Sequence, residues 1–221
     1  MIEHFAGLIS PLLSDCSGKV FYSGRTAFSR ANDLYIIGIN PGGSPELLSG
    51  ETVAWHTEKV LRREPNEWSA YCDESWEGKP PGTHGMQPRV RHMLGLLDRD
   101  ARSIPSSNLI FVRSNREESI GKNKTELIEV CWSFHQEVIE ALKPNVILCF
   151  GKTVGKYVQK RLMAHQIVDS FIENNDRHWP SDARLNSKGI AVVTVTHPSV
   201  ADWTAPAADP TPLVRRMLDH R

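Results

Sequence analysis

The sequence contains few cysteines, no long apolar run and no excess of charge of either sign. Its four cysteines lie far apart and form no CxxC pair, which argues against a disulfide framework and against a zinc knuckle. No apolar run approaches the roughly 20 residues that cross a bilayer, and the N-terminus lacks the basic and apolar regions of a secretion signal. We therefore expect a cytoplasmic protein with no membrane partner.

The charge balance excludes a strongly basic nucleic-acid-binding chain. The 26 basic residues equal the 26 acidic ones, so there is no global positive field and any DNA contact must rest on local patches. Residues 89–124 hold eight basic residues against four acidic ones. Most basic runs are solvated surface, so this surplus favours DNA binding only weakly.

The hydrophobic pattern predicts one α/β domain covering residues 1–221. With 40% hydrophobic content, a chain of this length can bury one substantial core. Buried parallel strands are predicted at 33–40, 108–113, 145–150 and 190–196, and helices at 90–99, 126–143, 152–165 and 213–220. The alternation of strands with helices along the chain predicts a three-layer α/β/α sandwich with a mostly parallel four-stranded central sheet. His135 lies on or beside the buried stripe of its helix, where a hydrogen-bonded core histidine is expected.

A segment rich in Trp, Pro, Gly and Ser interrupts this pattern at about 43–87. It is too long for an ordinary connection between a strand and a helix, and such segments are usually functional or disordered. The segment contains Trp55, Trp68 and Trp76, which indicate that it is packed or that it stacks on another group. We treat the segment as an insertion in the domain.

Polar residues follow the predicted strands where binding sites of parallel sheets gather. Asn40 and Asn115 are amides at two strand ends, and His197 is an imidazole at a third. The remaining strand ends in Gly151-Lys152-Thr153, where the start of a helix can offer backbone N–H groups to a phosphate.

Three segments resemble the uracil-DNA glycosylase superfamily in order and spacing. GINPG at 38–42 looks like the first motif of its mismatch-specific branch, and HPS at 197–199 looks like the second motif of its single-strand-selective, iron–sulfur and common uracil branches. ALKPNVILCFGKTVG at 141–155 is similar to the helix, strand and turn of the iron–sulfur branch. The resemblance spans roughly residues 33–203 and implies a DNA glycosylase with that family's fold.

The resemblance implies a role for each polar strand end. Asn40 would hold the water that attacks the anomeric carbon of the sugar. His197 would stabilise the negative charge on the departing base, either as a neutral donor or as an imidazolium. Asn115 would read the edge of a flipped pyrimidine, because an amide donates and accepts at once.

Further contacts follow from the same comparison. Gly42, Gly43 and Gln87 are assigned to the base pocket, and Ser44, Lys152 and Ser199 to DNA phosphates. Val200 and Trp203 occupy the place of the family's intercalating loop. Trp203 is the bulky candidate for the wedge, and packing on the C-terminal helix is an equally supported alternative.

The chain departs from the iron–sulfur branch in its cysteines, because Cys16 stands alone where that branch carries a pair. We therefore predict no iron–sulfur cluster. We also expect no other cofactor, no metal and no obligate protein partner. An NTPase is not indicated, because Val146 replaces the first glycine that a phosphate loop ending in Gly151-Lys152-Thr153 requires.

Four functions remain open. The leading hypothesis is a monofunctional glycosylase that removes uracil or a modified pyrimidine from DNA and leaves an abasic site, as in DNA repair. A related one is excision of a hypermodified phage base in antiviral defence, with the insertion shaping a larger pocket. The others are a catalytically silent nucleic-acid-binding module and an N-ribosyl hydrolase for free nucleosides.

Overall fold

A mixed sheet of six strands forms the core of the fold in a computed structural model that describes residues 1–219. The strands are β1 Leu34–Gly38, β2 Ser106–Asn108, β3 Val146–Phe150, β4 Gln166–Ile172, β5 Pro180–Leu185 and β6 Ala191–Val195, in the spatial order β2-β1-β3-β6-β5-β4. The helices are α1 Ile2–Ala6, α2 Val53–Arg62, α3 Gln87–Leu96, α4 Lys124–Leu142, α5 Lys152–Leu162 and α6 Thr211–Asp219. Short 3₁₀ turns lie at Pro11–Leu13, Ala101–Ser103 and Glu117–Asn123.

The predicted α/β class is confirmed, but the predicted strand count is wrong. Strands β2, β1, β3 and β6 pair in parallel, and every residue of β1, β3 and β6 is buried, as expected for strands covered on both faces. An antiparallel hairpin of β4 and β5 extends the sheet beyond β6. Its strands mix polar with apolar residues and are only partly buried, so they do not show the continuous apolar pattern that revealed the buried ones.

The second strand ends five residues earlier than predicted. The regular strand stops at Asn108, although the chain beyond it stays hydrogen-bonded to the end of β1 and to the residues that follow it. The Leu109 N–H donates to the Gly38 carbonyl at 2.8 Å, and the Ser114 N–H donates to the Pro41 carbonyl at 3.1 Å. The apolar run at 109–111 is buried in this irregular segment, and hydrophobic pattern alone does not separate such a segment from a strand.

The four predicted helices are present as α3, α4, α5 and α6. The prediction for the last one extended to His220, which lies outside the described residues. Lys143 ends α4 in a left-handed conformation immediately before Pro144, which cannot continue a helix. His135 is a hydrogen-bonded core residue as predicted: its Nε2 donates to the Asn108 carbonyl at 2.9 Å and its Nδ1 accepts from the Tyr35 hydroxyl at 2.8 Å.

The insertion at 43–87 packs into the same hydrophobic core as the sheet. Trp68 and Tyr71 are each 2% exposed. Ser69 forms an antiparallel bridge with Ser23, and Lys19 pairs with Glu74 at 2.7 Å. These contacts join the insertion to residues 19–23 near the N-terminus, which in turn bridge to β2 through Phe21 and Ser107. Within residues 1–219 no helix combines the length and apolar character needed to cross a membrane.

Replacing Gly155 by alanine is expected to destabilise the fold by about 1–3 kcal/mol. A Cβ at this position of α5 would lie 2.1 Å from Oγ1 and 2.7 Å from Cβ of Thr194 in β6, so the helix would have to move away from the sheet. Gly95 in α3 is the matched control, because a Cβ there would meet nothing within 4 Å. Gly95→Ala should stabilise the protein by about 0.5–1 kcal/mol. Urea unfolding measures both, and equal effects of the two substitutions would contradict the expectation.

Candidate active site

The residues that follow β1 and β6 lie at one edge of the sheet. Only β3 separates these two strands, and all three are parallel, so their carboxyl ends point the same way. Gly151, which follows β3, lies beside the imidazole: a Cβ on Gly151 would be 3.8 Å from the Cβ of His197. The fold thus places Asn40 and His197 on either side of the end of β3.

A chain of hydrogen bonds connects the two sides of this edge. The Asn40 Nδ2 donates to the Ser114 hydroxyl at 2.9 Å, and that hydroxyl donates to the Arg116 carbonyl at 2.8 Å. The next residue, Glu117, accepts a hydrogen bond from the Thr153 hydroxyl at 2.6 Å. Residues 114–117 therefore link the loop after β1 to the start of α5.

The amide of Asn40 has a defined orientation. Its Nδ2 also donates to the Pro41 carbonyl at 2.8 Å, and because a carbonyl oxygen only accepts, the nitrogen must face it. Both amide hydrogens are then used. Within residues 1–219 no hydrogen bond to Asn40 Oδ1 is found, so this half-buried oxygen can accept a hydrogen bond from water.

Burial and the contacts of His197 favour a neutral imidazole with its proton on Nε2. Burial lowers the pKa of His197 to about 4. The nearby Glu117 carboxylate raises this pKa, but by less than burial lowers it. The Nδ1 atom accepts from the Ser199 N–H at 3.1 Å and lies 2.8 Å from the Ser199 hydroxyl. A nitrogen that accepts from a backbone N–H carries no proton, so Nε2 is the donor. Ser199, assigned to a DNA phosphate from the sequence, here orients the imidazole.

Glu117 is a member of this site that the sequence did not single out. Burial raises the pKa of its carboxyl, but hydrogen bonds from Lys124 and Thr153 outweigh burial and leave that pKa lowered. The site therefore holds a negative charge near the His197 ring. Glu117 belongs to no motif, and only the fold brings it to the start of α5.

The structure contains two amides that could contact a base. Asn115 is exposed and lines a cavity of about 230 Å³ together with Pro45 and Glu46 of the insertion. Asn108 ends β2 and is 6% exposed, and its Oδ1 lies 2.2 Å from where a Cβ on Gly38 would be. A residue other than glycine at position 38 would thus displace the Asn108 side chain.

Asn108 is an unusual buried amide. Its Nδ2 makes no hydrogen bond of normal geometry among residues 1–219, although the side chain lies beside the Tyr22 hydroxyl. Leaving such a donor unpaired in the interior costs about 1–3 kcal/mol, so an unpaired group of this kind needs a reason such as a catalytic role or a bound water or ion. The sequence prediction missed this residue because it placed the end of the strand at Arg113 instead of Asn108.

The glycine loop after β1 is anchored by a buried arginine. Arg113 donates to the Gly42 carbonyl at 2.6 Å and to a Glu51 carboxylate oxygen at 2.8 Å. Gly43 has a φ of 99°, a conformation that favours glycine. Ser44, assigned to a phosphate from the sequence, donates to Glu46 at 2.6 Å and caps the turn that follows.

Gln87 does not line a base pocket, contrary to the prediction. Its side chain is fully buried, and its Nε2 donates to the Ala70 carbonyl at 2.7 Å and the Glu74 carbonyl at 2.8 Å. Its Oε1 accepts from the His84 N–H at 3.1 Å. These bonds satisfy the amide within the insertion, so Gln87 holds that segment together.

Of the two roles left open for Trp203, the structure favours packing over the wedge, because Trp203 is a core residue. Its ring is fully buried 5.2 Å from the Phe150 ring, and its Nε1 donates to the Thr196 carbonyl at 3.2 Å. Val200 is 54% exposed in the same loop, and Arg177 holds its carbonyl at 2.6 Å. The exposed apolar side chain of this loop is therefore Val200.

The basic surplus at 89–124 is not a free positive surface. Five of its eight cations pair with carboxylates. They are Arg89, Arg99, Arg102, Arg113 and Lys124. Lys152, by contrast, is exposed at the start of α5.

Comparison with known proteins found no family model that matches this chain and no curated protein with significant similarity to it. Among residues 1–219 there is also no group of three or more His, Cys, Asp or Glu side chains placed to hold a metal ion.

Proposed function

We propose that this protein is a monofunctional DNA glycosylase with the fold of the uracil-DNA glycosylase superfamily. It would hydrolyse the N-glycosidic bond of uracil or a modified pyrimidine and leave an abasic site. The observation that carries the proposal is the pair of oriented groups at one sheet edge: an acceptor oxygen on Asn40 and a neutral donor nitrogen on His197. Hydrolysis of this bond requires both, one for the water and one for the leaving base.

Asn40 positions the attacking water. Its Oδ1 accepts a hydrogen bond from the water, but a carboxamide is too weak a base to remove a proton. The glycosidic bond must therefore break largely before attack, and its electron pair leaves with the base. Water then bonds to the anomeric carbon and releases its proton to solvent.

His197 stabilises the departing base. Negative charge develops on the pyrimidine as the bond breaks, and the Nε2–H donates a hydrogen bond to it. Donors that are already oriented at developing charge in a site shielded from water are among the largest contributions to catalysis. Of the two protonation states left open by the sequence, the pKa of about 4 favours the neutral donor.

Asn108 reads the base in this proposal. The target must leave the stack to reach the site, and an amide can donate and accept along its edge. The unpaired Nδ2 of Asn108 favours this residue over Asn115, and because that atom is closed to solvent the side chain must turn outward to meet the base. Val200 replaces Trp203 as the side chain that fills the gap in the DNA.

A larger, modified base is the second candidate substrate. The cavity of about 230 Å³ adjoins Ser114, the partner of Asn40, and the insertion contributes Pro45 and Glu46 to its wall. A substituent on the base could occupy this space. Excision of such a base would suit defence against phage with modified DNA, whereas excision of uracil would suit repair.

The test is release of bases from defined DNA. Purified protein is incubated with single- and double-stranded oligonucleotides that contain uracil or modified cytosines, and abasic sites are revealed by mild alkali. We expect strand breaks only after alkali, and base release about 100- to 1,000-fold slower with His197→Ala. Absence of abasic sites on every substrate, together with retained DNA binding, would instead support a silent binding module. Turnover of free nucleosides without DNA would support the ribosyl hydrolase.

A further inference from the structure

A second cleft lies between α5 and the hairpin side of the sheet. It has a volume of about 290 Å³. Its walls include Lys152 and Lys156 from α5, Ser181, Asp182 and Arg184 from β5, and Thr194 from β6. The hairpin strand β5, absent from the sequence prediction, thus forms one side of it.

The cleft has an excess of positive charge. Its only carboxylate, Asp182, is occupied by Arg184, whose Nε donates to it at 2.8 Å, and by the Gln159 amide at 3.2 Å. Among residues 1–219 no carboxylate lies within salt-bridge distance of Lys152 or Lys156, and both are exposed. Two lysine ammonium groups therefore remain uncompensated along one side of the cleft.

The cleft begins at the edge of the sheet that carries the candidate active site. Lys152 immediately follows Gly151, which lies beside His197. Lys156 lies one helical turn farther along α5, a rise of about 6 Å. On the opposite wall, Asp182 of β5 pairs with Thr194, close to the carboxyl end of β6. A ligand in the cleft would continue directly from the active-site edge.

We propose that this cleft binds phosphates of the DNA strand that flanks the target nucleotide. Lysine ammonium groups are compact point charges that bind phosphate without a fixed orientation, which suits a contact independent of sequence. The proposal rests on the glycosylase function for the identity of the nucleic acid. It extends that function by placing the strand along α5 and β5 and not along residues 89–124, where five of the eight cations pair with carboxylates.

The test measures binding of fluorescent oligonucleotides without any target base, in single-stranded and duplex form, from about 50 to about 200 mM salt. Loss of one phosphate contact should make the slope of log affinity against log salt shallower by about 0.7 for single strands and 0.9 for duplex. We expect this change for Lys156→Ala. Lys188→Ala is the matched control, since Lys188 is an exposed lysine in the turn before β6, at the opposite end of that strand.

An unchanged slope in Lys156→Ala, or an equal change in Lys188→Ala, would overturn the cleft assignment even if the protein releases bases. A shallower slope without base release on any substrate would leave the cleft assignment standing and remove the glycosylase function. Inorganic phosphate at constant ionic strength distinguishes the source of the phosphate. We expect the wild type and Lys156→Ala still to differ in DNA affinity when inorganic phosphate is present. Loss of that difference would indicate a site for free phosphate.

Discussion

Replacing His197 by alanine is expected to slow base release by about 100- to 1,000-fold, the loss typical of removing one donor to a developing anion. DNA affinity should change little, because the Nε2 bond forms fully only as the glycosidic bond breaks. Single-turnover rates with saturating enzyme measure the chemical step, and anisotropy measures binding. Ser199→Ala is the matched control, since it removes the hydroxyl near Nδ1 but keeps the backbone N–H that sets the tautomer.

The same imidazole predicts the pH dependence of the wild-type rate. With burial lowering the pKa of His197 to about 4, the ring stays neutral above about pH 5, so its titration should cause no inflection between pH 5 and 8. Glu117→Gln should lower that pKa further, because the carboxylate is the group that raises it. An inflection near pH 6.5 that vanishes in His197→Ala would show that the ring titrates and that the imidazolium is the active form.

Replacing Asn40 by alanine is expected to reduce the chemical step by about 100-fold or more, the scale associated with a misplaced reactant. The water would lose the side-chain oxygen that the contacts of Asn40 with Pro41 and Ser114 orient. Binding of DNA should again be retained, and the melting temperature should fall only slightly because Asn40 is half-buried. Single-turnover kinetics and thermal unfolding measure these effects.

Two further variants separate positioning from chemistry at this residue. Ser114→Ala removes one of the two oxygens that orient the amide and should give a smaller loss than Asn40→Ala. Asn40→Asp should not exceed the wild-type rate, because a carboxylate oxygen would face the Pro41 carbonyl that now accepts from Nδ2. An Asn40→Ala rate equal to wild type would remove this residue from the mechanism.

The hydrophobic pattern was informative where burial is complete. Strands β1, β3 and β6 consist almost entirely of apolar residues, and Pro144 limits α4, so these elements follow from local sequence. The pattern was uninformative at the hairpin of β4 and β5, where polar and apolar residues are mixed without a regular period and burial is partial. It also placed the end of β2 too late, because the irregular chain beyond Asn108 is as buried as a strand.

By itself the sequence determined which polar side chains stand after the parallel strands, and so predicted that Asn40 and His197 share one edge. Only the tertiary structure decided what each side chain does there. Trp203 and Gln87 are satisfied in the interior, whereas Asn108 keeps an unpaired donor and Glu117 reaches the imidazole from another loop. The physical reason is that strand ends follow from short-range hydrophobic pattern, while hydrogen-bond partners and burial come from residues far apart in the chain.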